Sequence, residues 1–152
     1  MRYSMMIGKG AALFLLVLAM SAPQARAQNQ TPANIAPAGW TDPDTGLTWT
    51  KADNGSDINW NEANDYCSNL RLGGFSDWRL PTLNELRGIY DESVDTGGWH
   101  FHVKGNLKLS SVWQWSSDKD SAGVWGLYFN TGTQYPARSD YTNNARALCV
   151  RR

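Results

Sequence analysis

Asn59-Trp60-Asn61-Glu62-Ala63-Asn64-Asp65-Tyr66-Cys67-Ser68-Asn69-Leu70 is the stretch from which the fold is read. Trp60, Ala63, Cys67 and Leu70 recur at helical spacing, so they line one face of an amphipathic helix. Asn59 supplies a cap, and Glu62 three residues on completes a capping box that sets where the helix begins. Cys67 falls on the stripe that must be buried. A cysteine there is placed to tie the helix to whatever covers it.

The N-terminus indicates the compartment. Arg2 and Lys9 precede an apolar run over residues 11–20, which passes into small residues ending Ala25-Arg26-Ala27. This is the pattern of a secretory signal cleaved after Ala27. A membrane anchor needs roughly 18 uninterrupted apolar residues, whereas Ser21, Pro23 and Gln24 close this run early. No later stretch is apolar enough to span a bilayer. The expectation is a periplasmic or extracellular product without membrane insertion, and no cysteine at the cleavage point calls for a lipid-modified end.

Cys67 and Cys149 are the only cysteines. In an oxidising compartment two cysteines allow one pairing. The bond would close a loop of 82 residues, which in the chain-entropy model stabilises by about 4.5 kcal/mol. It would tie the last strand to an early helix. The alternative is a catalytic thiol, against which stand the lack of a nearby histidine in sequence and of a Cys-x-x-Cys pattern.

Charge narrows the partners. The whole chain holds 14 basic and 14 acidic residues, and loss of Arg2, Lys9 and Arg26 with the leader leaves the mature domain acidic by about three charges. Nucleic acid and strongly anionic membranes need a concentrated basic stripe, so neither is expected as a partner. What remains of the 152 residues suffices for one domain. Eight tryptophans, with Tyr66, Tyr90, Tyr128 and Phe129, supply a core of few but large side chains.

Outward from the first helix, residues 28–39 are polar, small and proline-containing and read as a flexible tether, so the domain is expected over residues 40–152. Gly46-Leu47-Thr48-Trp49-Thr50 alternates as a first strand with Leu47 and Trp49 on one face, and Asp53-Asn54-Gly55 turns the chain. After the irregular, glycine-broken residues 72–80, Pro81 and Thr82 open a second helix. Thr82 and Glu85 form its capping box, and Leu83, Leu86 and Tyr90 its buried stripe. Residues 91–110 form a long connection, a length usually kept for function or mobility. Residues 112–116 and 124–129 alternate as strands, Asn130-Thr131-Gly132 turns, and residues 145–150 supply a last strand. The order of elements predicts an α+β domain with two helices on a small antiparallel sheet.

Five blocks carry a family resemblance. They are Thr45-Gly46-Leu47-Thr48-Trp49; Trp60-Asn61-Glu62-Ala63 with Cys67; Gly74-Phe75-Ser76-Asp77-Trp78-Arg79-Leu80-Pro81-Thr82 with Glu85-Leu86; Trp115-Ser116-Ser117; and Cys149-Val150-Arg151. In this order they closely resemble the Lcl C-terminal domain family over residues 40–152. The resemblance implies a C-type-lectin-like fold, related to that of the formylglycine-generating enzyme, with a disulfide from the first helix to the last strand. It further implies an adhesin-like role, because the domain that names the family is the tip of a collagen-like bacterial adhesin that binds sulfated glycans. The sequence departs from that adhesin in lacking Gly-x-y repeats and in its negative mature charge. Lys104, Lys108, Arg138, Arg146, Arg151 and Arg152 are scattered, and the sugar motifs of calcium-dependent lectins are missing.

Candidate site residues fall in two places. Trp78, Arg79 and Pro81 suit a binding groove, as Trp and Arg anchor many such surfaces, but they lead straight into the second helix cap and read better as a fold signature. In Trp99-His100-Phe101-His102 the imidazoles would need a third ligand such as Asp91, Glu92 or Asp95 to hold a metal, and spacing fixes none. Trp99 in a long loop suits a carbohydrate-stacking surface, with His100, Lys104 and Lys108 beside it. Asp53 to Asp57 lacks the spacing of a calcium loop, and Asp118-Lys119-Asp120 reads as a solvated turn.

The functional expectation is an exported, non-catalytic module binding a glycan or other surface ligand without calcium, metal or cofactor. A structural or assembly component of the envelope that meets only protein is the alternative. An oxidase like the formylglycine generator is a third reading, but it needs a reactive cysteine pair near the C-terminal end, where this chain has one cysteine.

Overall fold

The computed structural model describes residues 39–152. The expected leader, residues 1–27, and residues 28–38 of the expected tether lie outside the described residues. Gly39, read above as the last tether residue, instead begins a strand. In chain order the elements are β1 (Gly39–Thr41), β2 (Thr48–Thr50), α1 (Trp60–Asn69), α2 (Leu83–Ile89), β3 (Trp113–Asp120), β4 (Gly123–Tyr128), β5 (Gln134–Ala137), β6 (Ala145–Arg146) and β7 (Val150–Arg151). The class is α+β with two helices.

Both helices start as their caps dictate. Glu62 N–H donates to Asn59 Oδ1 at 3.0 Å while Asn59 N–H donates to Glu62 Oε2 at 3.1 Å, and Thr82 and Glu85 repeat the exchange at 3.2 and 2.8 Å. Each box satisfies two amides that the first helical turn leaves free. Ala63 and Cys67 are the buried residues of α1. In α2 Leu86 and Ile89 are buried, whereas Tyr90, expected on that stripe, ends the helix as its C-cap and bridges to Val103.

The strands form two sheets, which corrects the expectation of one antiparallel sheet. β1, β2 and β7 make a three-stranded sheet in that order, and β5, β4, β3 and β6 make a four-stranded one. Within the second sheet β3 pairs with β6 in parallel. The single last strand expected over residues 145–150 is divided between the sheets. The reason lies in a distant segment: Asn54 Oδ1 accepts Ala147 N–H at 2.8 Å and Thr50 Oγ1 accepts Cys149 N–H at 3.2 Å, so amides that would have continued along β3 are engaged by the 50–54 segment. Gly39 opposite Thr50 allows β1 to approach β2, since a Cβ there would lie 1.7 Å from the Trp49 carbonyl oxygen.

Two apolar clusters fill the domain. Trp49, Leu86, Ile89, Phe101, Val103, Leu127, Phe129, Leu148 and Val150 belong to one. Ala63, Cys67, Trp78, Leu80, Trp113, Trp115, Val124, Ala147 and Cys149 belong to the other. Cys67 and Cys149 are joined, with Cα atoms 5.5 Å apart, and the bond lies in the second cluster directly ahead of β7. Tyr66, named above among the core aromatics, is exposed, because α1 turns it away from the stripe of Ala63 and Cys67. The connection over residues 91–110 is not uniformly loose: Phe101, Val103, Leu107 and Leu109 are buried in the first cluster.

Candidate functional site

Trp99 stands on the outer part of the long connection, flanked by left-handed residues: Gly97 and Gly98 before it have φ of 82° and 64°, and His100 after it 56°. The turn is braced by Asp95, whose carboxylate accepts Gly97 N–H at 2.8 Å and meets His100 Nδ1 at 2.8 Å. The His100 contact, followed by the Gly97 amide, holds the Asp95 carboxyl below its usual range. Trp99 is 74% exposed. It borders a pocket of about 150 Å³ lined also by Ser110, Ser111, Val112 and Asn144.

That pocket does not gather the residues expected with Trp99. Lys104 reaches Asp44 at 3.3 Å, Lys108 is exposed with its backbone tied to Lys51 and Asp53, and neither they nor His100 line the pocket. Its own polar groups face inward. Ser110 Oγ–H donates to Asp53 at 2.7 Å and Ser111 Oγ–H to the Asn144 carbonyl at 2.6 Å. His102 Nδ1 lies 2.6 Å from the Val94 carbonyl. Among the described residues no three His, Cys, Asp or Glu side chains converge as a metal site. Trp78 is buried, and Arg79 pairs with Glu85 at 2.8 and 2.7 Å.

A larger and more aromatic concavity lies along the other edge of the four-stranded sheet. Trp113, Tyr128, Tyr135, Pro136, Ala137, Arg138, Asp140 and Tyr141 line a groove of about 390 Å³. Trp113 and Tyr128 face each other across the β3–β4 ladder with ring centroids 4.7 Å apart. Tyr128 in turn meets Tyr135 edge-on at 6.1 Å. Gly126 makes room for this arrangement, because a Cβ there would sit 2.4 Å from the Trp113 ring. Tyr135 is 56% exposed and Tyr141 39%. Burial, then the phenols of Tyr141 and Tyr135, push the Tyr128 hydroxyl above its usual 10.0. At the rim Arg138 grips Asp140 with two hydrogen bonds of 3.0 and 2.9 Å, which hold that carboxyl below its usual range.

The family model of the Lcl C-terminal domain matches residues 39–151. The chain belongs to that family. No curated protein matches it. The matched segment of this Lcl C-terminal domain opens with the first residue of β1 and closes with the last of β7, two strands that share the partner β2. Every residue of the aromatic groove lies inside it.

The Lcl C-terminal domain has a second cleft beside the groove. It measures about 410 Å³ and is lined by Trp60, Asn61, residues 119–124 and Ala137 to Ser139. Ala137 and Arg138 are common to both concavities. Lys119 Nζ stands 5.6 Å from the Trp60 ring centroid, a cation–π distance. Trp60 is held by its indole N–H, which donates to the Ser116 carbonyl at 2.8 Å.

Sequence reading passed over the groove for a physical reason. Pro136 removes a ladder donor and argues against a strand, yet β5 is the edge strand of its sheet, where the missing N–H faces no partner. Once β5 pairs with β4, Tyr135 lies opposite Gly126. The available signal was the run Tyr135-Pro136 with Tyr141 soon after.

Proposed function

We propose that this domain is a non-catalytic carbohydrate-binding module, adhesin-like in role, acting in the periplasm or outside the cell on a C-type-lectin-like fold. The observation that carries the reading is the groove of Tyr128, Tyr135 and Tyr141 backed by Trp113 and rimmed by the Arg138–Asp140 pair. Aromatic faces stack on the C–H faces of pyranose rings, and a few fixed polar groups then orient the hydroxyls, which is the general make-up of small-ligand sites. Asp140 is already satisfied by Arg138, so recognition here calls for no calcium. The disulfide between α1 and the segment before β7 supports both the fold reading and an oxidising compartment. It also engages both cysteines of the chain, which speaks against thiol oxidase chemistry.

The test is a glycan array followed by calorimetric titration of the purified oxidised domain, with calcium and with chelator. Binding should be insensitive to chelator and weaken by about tenfold or more in Tyr135→Ala and Tyr141→Ala, both of which should keep the wild-type melting point. Absence of binding across neutral and charged glycans, or binding indifferent to both substitutions, overturns the reading.

A second reading, a structural component of the envelope that binds only protein, draws on another surface. Tyr66, Leu72 and Phe75 are exposed apolar side chains, and the Arg151 guanidinium lies 3.6 Å from the Phe75 ring centroid. Cross-linking in the native envelope that depends on Phe75 and not on Tyr135 would favour it.

A further inference from the structure

We infer that the aromatic groove and the neighbouring cleft form one track for an uncharged oligosaccharide chain, running from Tyr135 across Arg138 to Trp60. This rests on the carbohydrate reading above and narrows its ligand class.

Continuity is the first argument. The two concavities, about 390 and 410 Å³, share Ala137 and Arg138 as a common wall, so they adjoin along that segment and one extended ligand can contact both. Each is already of the size that takes a small ligand. A single sugar therefore leaves one side vacant, whereas a chain uses both. Aromatic side chains stand on either side of the shared wall, Tyr135 and Tyr141 in the groove and Trp60 in the cleft.

Charge is the second argument. The ionisable acids and bases of the whole track are Lys119, Asp120, Arg138 and Asp140, two of each sign. The cation at the shared wall is not free: Arg138 is held by Asp140 through two hydrogen bonds. A sulfate or carboxylate reaching the remaining guanidinium N–H groups would meet the Asp140 and Asp120 carboxylates as like charges. Hydroxyl groups pay no such penalty. They can accept from the outer N–H groups of Arg138 and donate to Asp140 while the pair remains intact, and Asn61, Ser121 and Ser139 add neutral hydrogen-bonding groups along the cleft.

The deciding experiment is calorimetric titration of the oxidised protein with linear neutral oligomers of glucose, mannose, galactose and N-acetylglucosamine, of increasing length, beside sulfated oligomers of matched length. In at least one neutral series affinity should rise about tenfold or more from the dimer to the longest chain, and should change little when salt is raised from about 0.05 to 0.5 M. The gain with length should disappear in Ser121→Trp, which fills the cleft from an exposed turn. Asn61→Ala, from the first turn of α1, provides a second variant should the tryptophan perturb folding, and should reduce the gain. Affinity that is flat with length yet lost in Tyr135→Ala overturns the track while leaving the groove as a carbohydrate site. Preference for the sulfated series, with steep salt dependence, overturns neutrality alone. No binding of any series by the wild-type protein overturns the carbohydrate reading and this inference with it.

Discussion

Arg79 and Val150 exchange both backbone hydrogen bonds, each 2.9 Å long, while the Arg79 side chain grips Glu85 at the start of α2. One residue thus joins the cap of the second helix to the last strand. Its neighbours repeat the connection: Arg151 reaches Asp77 at 2.7 and 3.1 Å, and Cys149 is bonded to Cys67 of α1. The C-terminal segment is consequently the element against which both helices are registered. Its removal would release covalent, ionic and backbone ties together.

The disulfide is the strongest of these ties. Cys67→Ala should destabilise the oxidised protein by about 2 to 5 kcal/mol, read as a clear fall in melting temperature. Reductant should bring the wild-type protein to the same level and leave the variant unmoved. Equal melting of wild type and variant under oxidising conditions would remove the staple from the account of stability.

Glu85 carries a pH dependence with a definite sign. The hydrogen bonds from Arg79, more than those from Thr82, hold its carboxyl below the ordinary 4.5. A group whose folded value is depressed stabilises fully above its unfolded value, and the contribution is lost as pH falls through the folded value. The window therefore lies below 4.5. Asp57 and Asp77 are also lowered, by Arg146 and Arg151, so the whole protein loses stability in the same direction on acidification. Glu85→Gln, which keeps a capping side chain, should cost about 1 kcal/mol near pH 7, and the gap to wild type should close on acidification. A gap constant from neutral pH to about pH 3 would show that the Arg79 pair contributes nothing.

Elements fixed by neighbours in sequence were legible, and elements fixed by distant pairing were not. Asn59 and Glu62, or Thr82 and Glu85, are three residues apart, so both helix starts and both capping boxes follow from local pattern. Cys67 and Cys149 are far apart, but only one pairing was open to them. β5 and the division of the last strand depend instead on Gln134 to Ala137 finding β4, and on Asn54 and Thr50 capturing the amides of Ala147 and Cys149. No short-range signal encodes such partners. The aromatic groove was missed for the same cause, since Tyr128, Tyr135 and Tyr141 meet only after β5 is laid on β4. Trp99 drew attention because it is a tryptophan in a loop, yet the structure surrounds it with serines whose hydroxyl protons are engaged inside.

Gly126 links packing to the groove. It lies opposite Trp115 on one side and Tyr135 on the other, and an added methyl would collide with the Trp113 ring at 2.4 Å and with the Gln114 carbonyl oxygen at 2.7 Å. Gly126→Ala should therefore destabilise by about 1 to 3 kcal/mol, as overpacking does. It should also displace Trp113 from behind Tyr128, so that glycan affinity falls even at temperatures where the variant is fully folded. Wild-type affinity in a folded Gly126→Ala protein would separate Trp113 from the site.

Trp99 and Tyr135 offer the sharpest choice between the two surfaces. Both are exposed, at 74% and 56%, so either can be truncated at a cost within about 0.5 kcal/mol of stability. The surfaces differ in what stands beside each ring. Tyr135 is one of three phenols along an open groove with a polar rim, whereas Trp99 covers a pocket of about 150 Å³ whose serines already donate to Asp53 and Asn144. A ligand at Trp99 would find one aromatic face and few free donors, and a ligand at Tyr135 would find several of both. Titration of the same glycan into the two variants should show affinity lost in Tyr135→Ala and kept in Trp99→Ala. The opposite result would move the binding site to the loop at residues 91–100 and leave the tyrosine groove as packing at a sheet edge.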